Sequence, residues 1–178
     1  GVSVRIILAG ATGLVGQALL KQLATMPDVA EVVAVGRRAS GVVAPKISDL
    51  TGPVDAWPTL MEGEAFDVAI SALGTTMRDA GSQTAFFAVD HDAVLSFARA
   101  ARATGARQFM MVSSVGAHAA SRNFYLGTKG RAEAGLAQVG YERLDILRPG
   151  LLRGRRTGAL RLGERIAIAI SPVVGSNE

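Results

Sequence analysis

Cysteine is absent from the 178 residues, and histidine occurs only twice. Without cysteine there can be no disulfide, no thiolate metal site and no cysteine nucleophile. His91 and His118 lack the spacing of metal ligands, so we expect no metal site. Asp90 and Asp92 are expected on a solvated helix face and not as a catalytic pair. Neither a Gly-x-Ser-x-Gly elbow nor a Walker phosphate loop is present, which argues against a serine hydrolase and a P-loop NTPase.

Long apolar runs are also lacking. The late apolar stretch at residues 166–170 is far shorter than the roughly 20 residues that a membrane-spanning helix needs. Apolar residues make up 49% of the chain and charged residues 19%, which is typical of a globular fold. We therefore expect a cytoplasmic protein with no membrane partner, in agreement with the absence of cysteine.

Positive charge is concentrated late in a chain whose net charge is +4. The basic residues that form this cluster are Arg148, Arg153, Arg155, Arg156, Arg161 and Arg165. No aromatic residues interleave with them, as they do in many nucleic-acid-binding surfaces. We expect a solvated loop or a site for an anionic ligand there, and no nucleic-acid partner.

Short apolar segments alternate with helical patterns along the whole chain. The patterns predict strands at residues 2–9, 31–35, 46–50, 66–72, 108–112 and 144–147, and helices at 14–26, 85–104 and 125–139. This alternation predicts an α/β fold with a doubly wound parallel sheet in the strand order 3-2-1-4-5-6. Right-handed crossovers would bring the carboxyl ends of all strands to one edge of the sheet.

A glycine-rich turn, Gly10-Ala11-Thr12-Gly13-Leu14-Val15-Gly16, follows the first predicted strand. Its spacing is one residue longer at the first interval than the dinucleotide fingerprint G-x-G-x-x-G. Glycine lets backbone N–H groups approach a pyrophosphate, and the next helix offers the positive end of its dipole to the phosphates. Between a buried strand and a helix, such a turn predicts dinucleotide binding.

Arg37 and Arg38 follow the second predicted strand, where no acidic residue is present. An Asp or Glu at this point would bind the ribose 2′-hydroxyl of NAD, whereas a cation pairs with the 2′-phosphate of NADP. Arginine can hold a phosphate with two parallel hydrogen bonds. The pair favours NADP(H) over NAD(H), the alternative being two solvated surface arginines.

Tyr125 and Lys129 lie four residues apart, on one face of a predicted helix. A tyrosine hydroxyl is a weak acid at neutral pH, and a nearby ammonium group favours its ionised form. The alternative is an ordinary amphipathic helix. Ser113 and Ser114 end the preceding strand, where a hydroxyl could hold a substrate carbonyl. The sequence does not separate the two serines, and we prefer Ser114.

The order of these motifs, ending in Arg-Pro-Gly at residues 148–150, resembles the short-chain dehydrogenase/reductase superfamily. Within it, the chain is most similar to the atypical NAD(P)H-binding group related to the Tat-interacting oxidoreductase-like proteins. The local stretches that support this likeness lie at residues 72–76, 88–92, 112–117 and 124–130. The resemblance covers nearly the whole chain.

The resemblance implies a role for individual residues. The implied cofactor contacts are Gly10, Thr12, Gly13, Leu14 and Val15 at the pyrophosphate, Arg37 and Arg38 at the 2′-phosphate, Asp49 and Leu50 near the adenine, Ala72, Leu73 and Gly74 beside the adenosine ribose, Lys129 at the nicotinamide ribose, and Pro149, Gly150 and Leu151 at the nicotinamide. Tyr125 would be the proton donor, and Ser114 would orient the substrate.

The expected function is reduction of a carbonyl or similar small molecule by hydride transfer from NADPH. The competing hypothesis is an NADP(H)-binding sensor or partner-binding protein without catalysis. Family members usually continue through further elements that shape the substrate pocket. We therefore expect residues 1–178 to form one NAD(P)-binding domain that lacks those elements, and we allow for a homodimer.

Overall fold

The computed structural model describes residues 3–113, 119–148 and 155–175. Its six strands are β1 Val4–Ala9, β2 Val29–Gly36, β3 Ile47–Thr51, β4 Val68–Ser71, β5 Gln108–Val112 and β6 Arg143–Leu147. They form one parallel sheet in the order β3-β2-β1-β4-β5-β6. The predicted α/β class and strand order are confirmed.

Helices connect the strands and cover both faces of the sheet. In the described ranges they are α1 Leu14–Leu23, α2 Trp57–Leu60, α3 Met77–Ala80, α4 Gln83–Phe87, α5 Val94–Ala103, α6 Phe124–Leu136 and α7 Arg155–Gly175. A 3₁₀ turn, Val54–Ala56, precedes α2, and a π-helical turn, Ala88–Ala93, joins α4 to α5. No helix in the described ranges has both the length and the apolar character to cross a membrane.

The sheet is buried on both faces because successive side chains of a strand point to opposite sides. Ile6 and Leu8 of β1 belong to an apolar cluster under α1 and α7. Ile7 and Ala9 belong to a second cluster, under α2, α5 and α6. The molecule therefore has three layers, with the sheet in the middle, which explains the nearly continuous apolar character of the central strands.

Helix α7 was not expected from the sequence. The prediction of a solvated loop around the late arginines is wrong from residue 155 onward, because Leu162, Ile166 and Ile170 recur once per helical turn and are buried against the α1 side of the sheet. Helices α7 and α1 approach closely, since a Cβ at Gly163 of α7 would lie 1.7 Å from Oε1 of Gln22 of α1.

The chain changes direction between β1 and β4. It winds outward from β1 to β2 and β3, and then returns to the other side of β1 to form β4. The backbone N–H of Ala72 donates to the carbonyl of Ala9 at 2.8 Å, so the carboxyl ends of these strands lie side by side. Open α/β sheets bind ligands in the crevice at such a switch point.

Candidate functional site

The glycine turn lies at this crevice and packs against β4. Gly10 has φ +90°, and a Cβ there would lie 2.5 Å from the backbone carbonyl of Ala72. A Cβ at Gly16 would lie 1.8 Å from the carbonyl oxygen of Gly10. Both positions therefore require glycine for steric reasons, and the turn is held close to the loop that follows β4.

Helix α1 begins directly after the turn, at Leu14. Gly13 occupies the N-cap position, where no side chain caps the first turn of the helix. The first N–H groups of a helix have no partner within it, and they form the positive end of the helix dipole. Thr12 and Gly13 both line the cleft, so this end of α1 suits a phosphate group.

The cleft has a volume of about 880 Å³, within the range of ligand sites. It brings together many of the predicted cofactor contacts, namely Gly10, Thr12, Gly13, Arg37, Arg38, Ala72, Leu73 and Gly74. Sequence reasoning missed other lining residues, among them Trp57, Thr75, Val89, Asp92 and Ser96. This cleft fits a dinucleotide. The glycine turn and the N-terminal end of α1 suit its pyrophosphate, and Arg37 and Arg38 suit a further phosphate group.

Besides Lys129, four predicted cofactor contacts in the described ranges are not among the residues that line the cleft. Leu14 is half exposed on α1, and Val15 packs against the apolar cluster on the α1 side of the sheet. Leu50 packs on the opposite face, and Asp49 binds Ser40 through both carboxylate oxygens. Their proposed contacts with a cofactor stay predictions.

Lys129 is buried, with only 4% of its surface exposed, and its partner is Asp90. Nζ of Lys129 lies 2.5 Å from Oδ1 of Asp90, and the N–H of Thr75 donates to Oδ2 at 3.0 Å. Burial raises the pKa of the Asp90 carboxyl, and Lys129 and the Thr75 N–H partly offset this. Gly74 packs against the pair: a Cβ there would lie 3.4 Å from Nζ.

The prediction that Asp90 and Asp92 share a solvated helix face is wrong for Asp90, which is completely buried. Asp90 lies four residues from Phe86 and four from Val94, both fully buried, so it belongs to the buried face of this helical segment. A charged side chain is rarely buried unless it is paired, and Asp90 is paired with Lys129. Asp92 is exposed, as expected, and also lines the cleft.

Tyr125 lies beside this ion pair on α6. Its ring is 5.3 Å from the ring of Phe86, and Nζ of Lys129 is 5.8 Å from the centre of the tyrosine ring. Asn123 is the N-cap of this helix, and its side chain accepts a hydrogen bond from the N–H of Leu126. The predicted pairing of tyrosine and lysine on one helix face is present in the structure.

Ser113 is buried, and its hydroxyl donates to Oε2 of Glu133 at 2.6 Å. Glu133 also forms an ion pair with Arg148, which raises the pKa of that guanidinium. Ser113 thus belongs to a contact between β5, α6 and the end of β6. Ser114, like Pro149, Gly150 and Leu151, lies outside the described residues, and the roles proposed for these four stay predictions.

Acidic and histidine side chains do not gather into a metal-sized group anywhere in the described ranges. The polar groups that the structure brings together are instead the ion pair behind the cleft, the tyrosine next to it, and the arginines on the cleft wall. Such a set can bind phosphates and hold a proton donor near a bound molecule.

Proteins of similar sequence include two yeast proteins. Protein FMP52-1, mitochondrial, of Scheffersomyces stipitis is 36% identical over 164 residues, which cover 90% of this chain and 73% of that protein. Protein FMP52, mitochondrial, of Meyerozyma guilliermondii is also 36% identical, over 96% of this chain and 74% of its own length. The predicted cytoplasmic location is wrong by this comparison, because these relatives are mitochondrial. The absence of cysteine agrees with any reducing compartment, so it does not distinguish the cytoplasm from another one.

Among solved structures, the Bordetella bronchiseptica enzyme WbmG in complex with NAD matches with a TM-score of 0.70 at 17% identity. The match covers 83% of this chain but only 53% of WbmG. The chain thus spans about half the length of that enzyme, and the likeness shows the fold.

The model of the NAD dependent epimerase/dehydratase family matches residues 6–129, from β1 through the glycine turn to Lys129. The predicted likeness to short-chain dehydrogenase/reductase proteins is confirmed. With the glycine cradle and the switch-point cleft, this match establishes that the chain belongs to the NAD dependent epimerase/dehydratase family and is a nucleotide-binding, oxidoreductase-like protein.

Proposed function

We propose that the protein binds NADP(H) in this cleft and reduces a carbonyl or similar unsaturated small molecule. The observation that supports the cofactor is that Arg37 and Arg38 line the same cleft as the glycine turn. The matching family is described as NAD dependent, and the structure of WbmG is a complex with NAD. The preference for NADP(H) therefore depends on this arginine pair and on the absence of an acid at the end of β2.

The charge of the arginine pair is available to a ligand. Both side chains are exposed at the cleft, and in the described residues neither forms an ion pair. Guanidinium groups bind phosphate with two parallel hydrogen bonds, and such bonds are about twice as strong as neutral ones. A 2′-phosphate would supply the missing anion, whereas a 2′-hydroxyl would not.

A bound nicotinamide dinucleotide would supply the hydride. We propose that the backbone of Gly10, Thr12 and Gly13 holds the pyrophosphate, with Leu14 and Val15 at its margin. The remaining proposed contacts are Asp49 and Leu50 near the adenine, Ala72, Leu73 and Gly74 at the adenosine ribose, and Lys129, Pro149, Gly150 and Leu151 toward the nicotinamide.

In the proposed reaction, Tyr125 donates its hydroxyl proton to the oxygen of the substrate as that oxygen gains negative charge. The ammonium group of Lys129 favours the ionised tyrosine that remains. Asp90 holds this ammonium group behind Gly74, so the position of the charge is fixed before a substrate arrives. Ser114 would hold the carbonyl oxygen of the substrate.

Replacing Tyr125 tests the catalytic part of the proposal. In Tyr125→Phe, turnover of a panel of carbonyl compounds, followed as loss of NADPH absorbance, should fall by about 100-fold or more, as for a lost general acid. NADPH binding should remain. Tyr141→Phe is the matched control, since Tyr141 is the other tyrosine of the chain and its hydroxyl donates to the carbonyl of Ala98. Full activity of Tyr125→Phe would remove tyrosine from the proposed role.

A second candidate function is an NADP(H) sensor without catalysis. It is favoured by one observation: neither Tyr125 nor Lys129 is among the described residues that line the cleft. In that case the wild-type protein would bind NADPH tightly and consume none across the same panel. Measured consumption that is lost in Tyr125→Phe and kept in Tyr141→Phe would exclude this second function.

A further inference from the structure

Lys129 is not among the residues that line the cleft, but its ammonium group lies directly behind one that is. That residue is Gly74, which is exposed on the cleft wall. A Cβ added to Gly74 would lie 3.4 Å from Nζ of Lys129 and 3.6 Å from Oδ1 of Asp90. A ligand in the cleft would therefore reach the buried ion pair past this glycine.

The cleft wall at Gly74 is held on both sides. The N–H of Ala72 donates to the carbonyl of Ala9 at 2.8 Å, which attaches the loop after β4 to the sheet. The N–H of Thr75 donates to Oδ2 of Asp90 at 3.0 Å, which attaches the loop to the π-helical turn. Gly74 lies between these two anchors, so the fold sets its distance from the ion pair.

The ammonium group behind the wall is held as well. Asp90 is completely buried and Lys129 is 4% exposed, with Nζ 2.5 Å from Oδ1. Separating such a pair would leave a lone buried charge, which is strongly unfavourable. An ammonium group has three N–H donors, and the contact with Asp90 occupies one. The arrangement thus presents a fixed hydrogen-bond donor at the back of the wall.

We infer that Gly74 is an access position for the cofactor: because it has no side chain, a hydroxyl group of the nicotinamide ribose can reach the Lys129 ammonium that Asp90 holds behind the cleft wall. A hydroxyl oxygen must come within about 3.2 Å of Nζ to accept a hydrogen bond. A Cβ at 3.4 Å would occupy the same space. This inference rests on the proposed binding of a nicotinamide dinucleotide in the cleft.

Gly74→Ala tests the access position, because alanine keeps the backbone of the loop, including the contacts proposed for the adenosine ribose. Gly74 is not among the glycines with positive φ, and the added Cβ would lie at ordinary van der Waals distances. The Tm should therefore shift by less than about 3 °C. In fluorescence titration the Kd for NADPH should rise about tenfold, as for a lost charge-assisted hydrogen bond.

Adenosine 2′,5′-bisphosphate separates this effect from a general disturbance of the site. The compound carries the adenosine ribose and the 2′-phosphate and lacks the nicotinamide ribose. Its Kd should therefore change by less than about twofold in Gly74→Ala. Equal weakening of NADPH and the bisphosphate would place the effect at the adenosine half and overturn the inference. An unchanged Kd for NADPH would overturn it too.

A double-mutant comparison shows whether Gly74 acts through Lys129. Asp90→Asn/Lys129→Met removes both charges together, so that no lone charge is buried. In that background Gly74→Ala should weaken NADPH by less than about twofold. The matched control is Gly13→Ala, a second glycine of the cleft wall, which should weaken NADPH by the same factor in both backgrounds. A tenfold effect of Gly74→Ala without the lysine would contradict the inference.

Failure of the proposed function gives different results. If the wild-type protein binds neither NADPH nor NADH, the proposed cofactor site fails, and the inference fails with it. If the wild-type protein binds the two equally, only the proposed preference for NADP(H) fails. The same comparison in Gly74→Ala, made with NADH and adenosine 5′-monophosphate, then decides the inference: selective weakening of NADH supports it, and equal weakening or none overturns it.

Discussion

At the scale of single residues, the cleft depends on positions that tolerate no side chain. Gly10 and Gly16 approach other backbone atoms so closely that a Cβ would overlap them. Gly13 differs, since a Cβ there would meet nothing nearer than the Gly10 carbonyl oxygen at 3.8 Å. Three glycines of one motif thus have two separate roles: two allow the turn to close, and one leaves the helix end open.

This difference gives a residue-scale prediction. Gly16→Ala should lower the free energy of unfolding by about 3 kcal/mol, as for an overpacked site, and should abolish NADPH binding. Gly13→Ala is the matched control: its stability should stay within about 1 kcal/mol of the wild type, while NADPH binds more weakly because Gly13 lines the cleft. Urea unfolding and fluorescence titration measure both effects. An unchanged stability of Gly16→Ala would show that the turn is closed differently.

At the scale of elements, the sequence predicted the strands well but missed the short helices α2 and α3 and the long helix α7. The strands of the sheet centre are recognisable because both of their faces are buried, so their apolar runs are continuous. Helix α7 escaped prediction because arginines and glycines crowd its first half. Among its described side chains, Leu162, Ile166, Ala169 and Ile170 are buried. Asp90 was misplaced for a different reason: a charged side chain is rarely buried, and the sequence does not show the ion pair with Lys129 that allows it.

Helix α7 supplies the element-scale prediction. Ile166 is completely buried, whereas Ile168, two residues later, is 72% exposed. Ile166→Ala should lower the free energy of unfolding by about 3 kcal/mol, the usual cost of a large-to-small change in a core. Ile168→Ala should change it by less than about 0.5 kcal/mol. Equal effects of the two substitutions in urea unfolding would contradict the packing of α7 on the sheet.

At the scale of the whole molecule, the site is assembled from segments distant in sequence. The glycine turn, the arginine turn, the loop after β4 and the π-helical turn each contribute to one cleft, because parallel strands end at the same edge of the sheet. Sequence reasoning found the first three, since each follows a recognisable strand. It missed the partner of Lys129, since Asp90 and Lys129 lie in separate helical segments that only the fold brings together.

The central claim is that this cleft selects a dinucleotide with a 2′-phosphate, and its most direct test is to compare the Kd values of NADPH and NADH. We predict that the wild-type protein binds NADPH at least about tenfold more tightly, the value of one strong phosphate contact. The Arg37→Ala/Arg38→Ala variant should lose this difference while NADH binding is unchanged, and Arg161→Ala, which removes an exposed charge from α7, should keep it. Equal affinities in the wild-type protein, or tighter binding of NADH, would contradict the account.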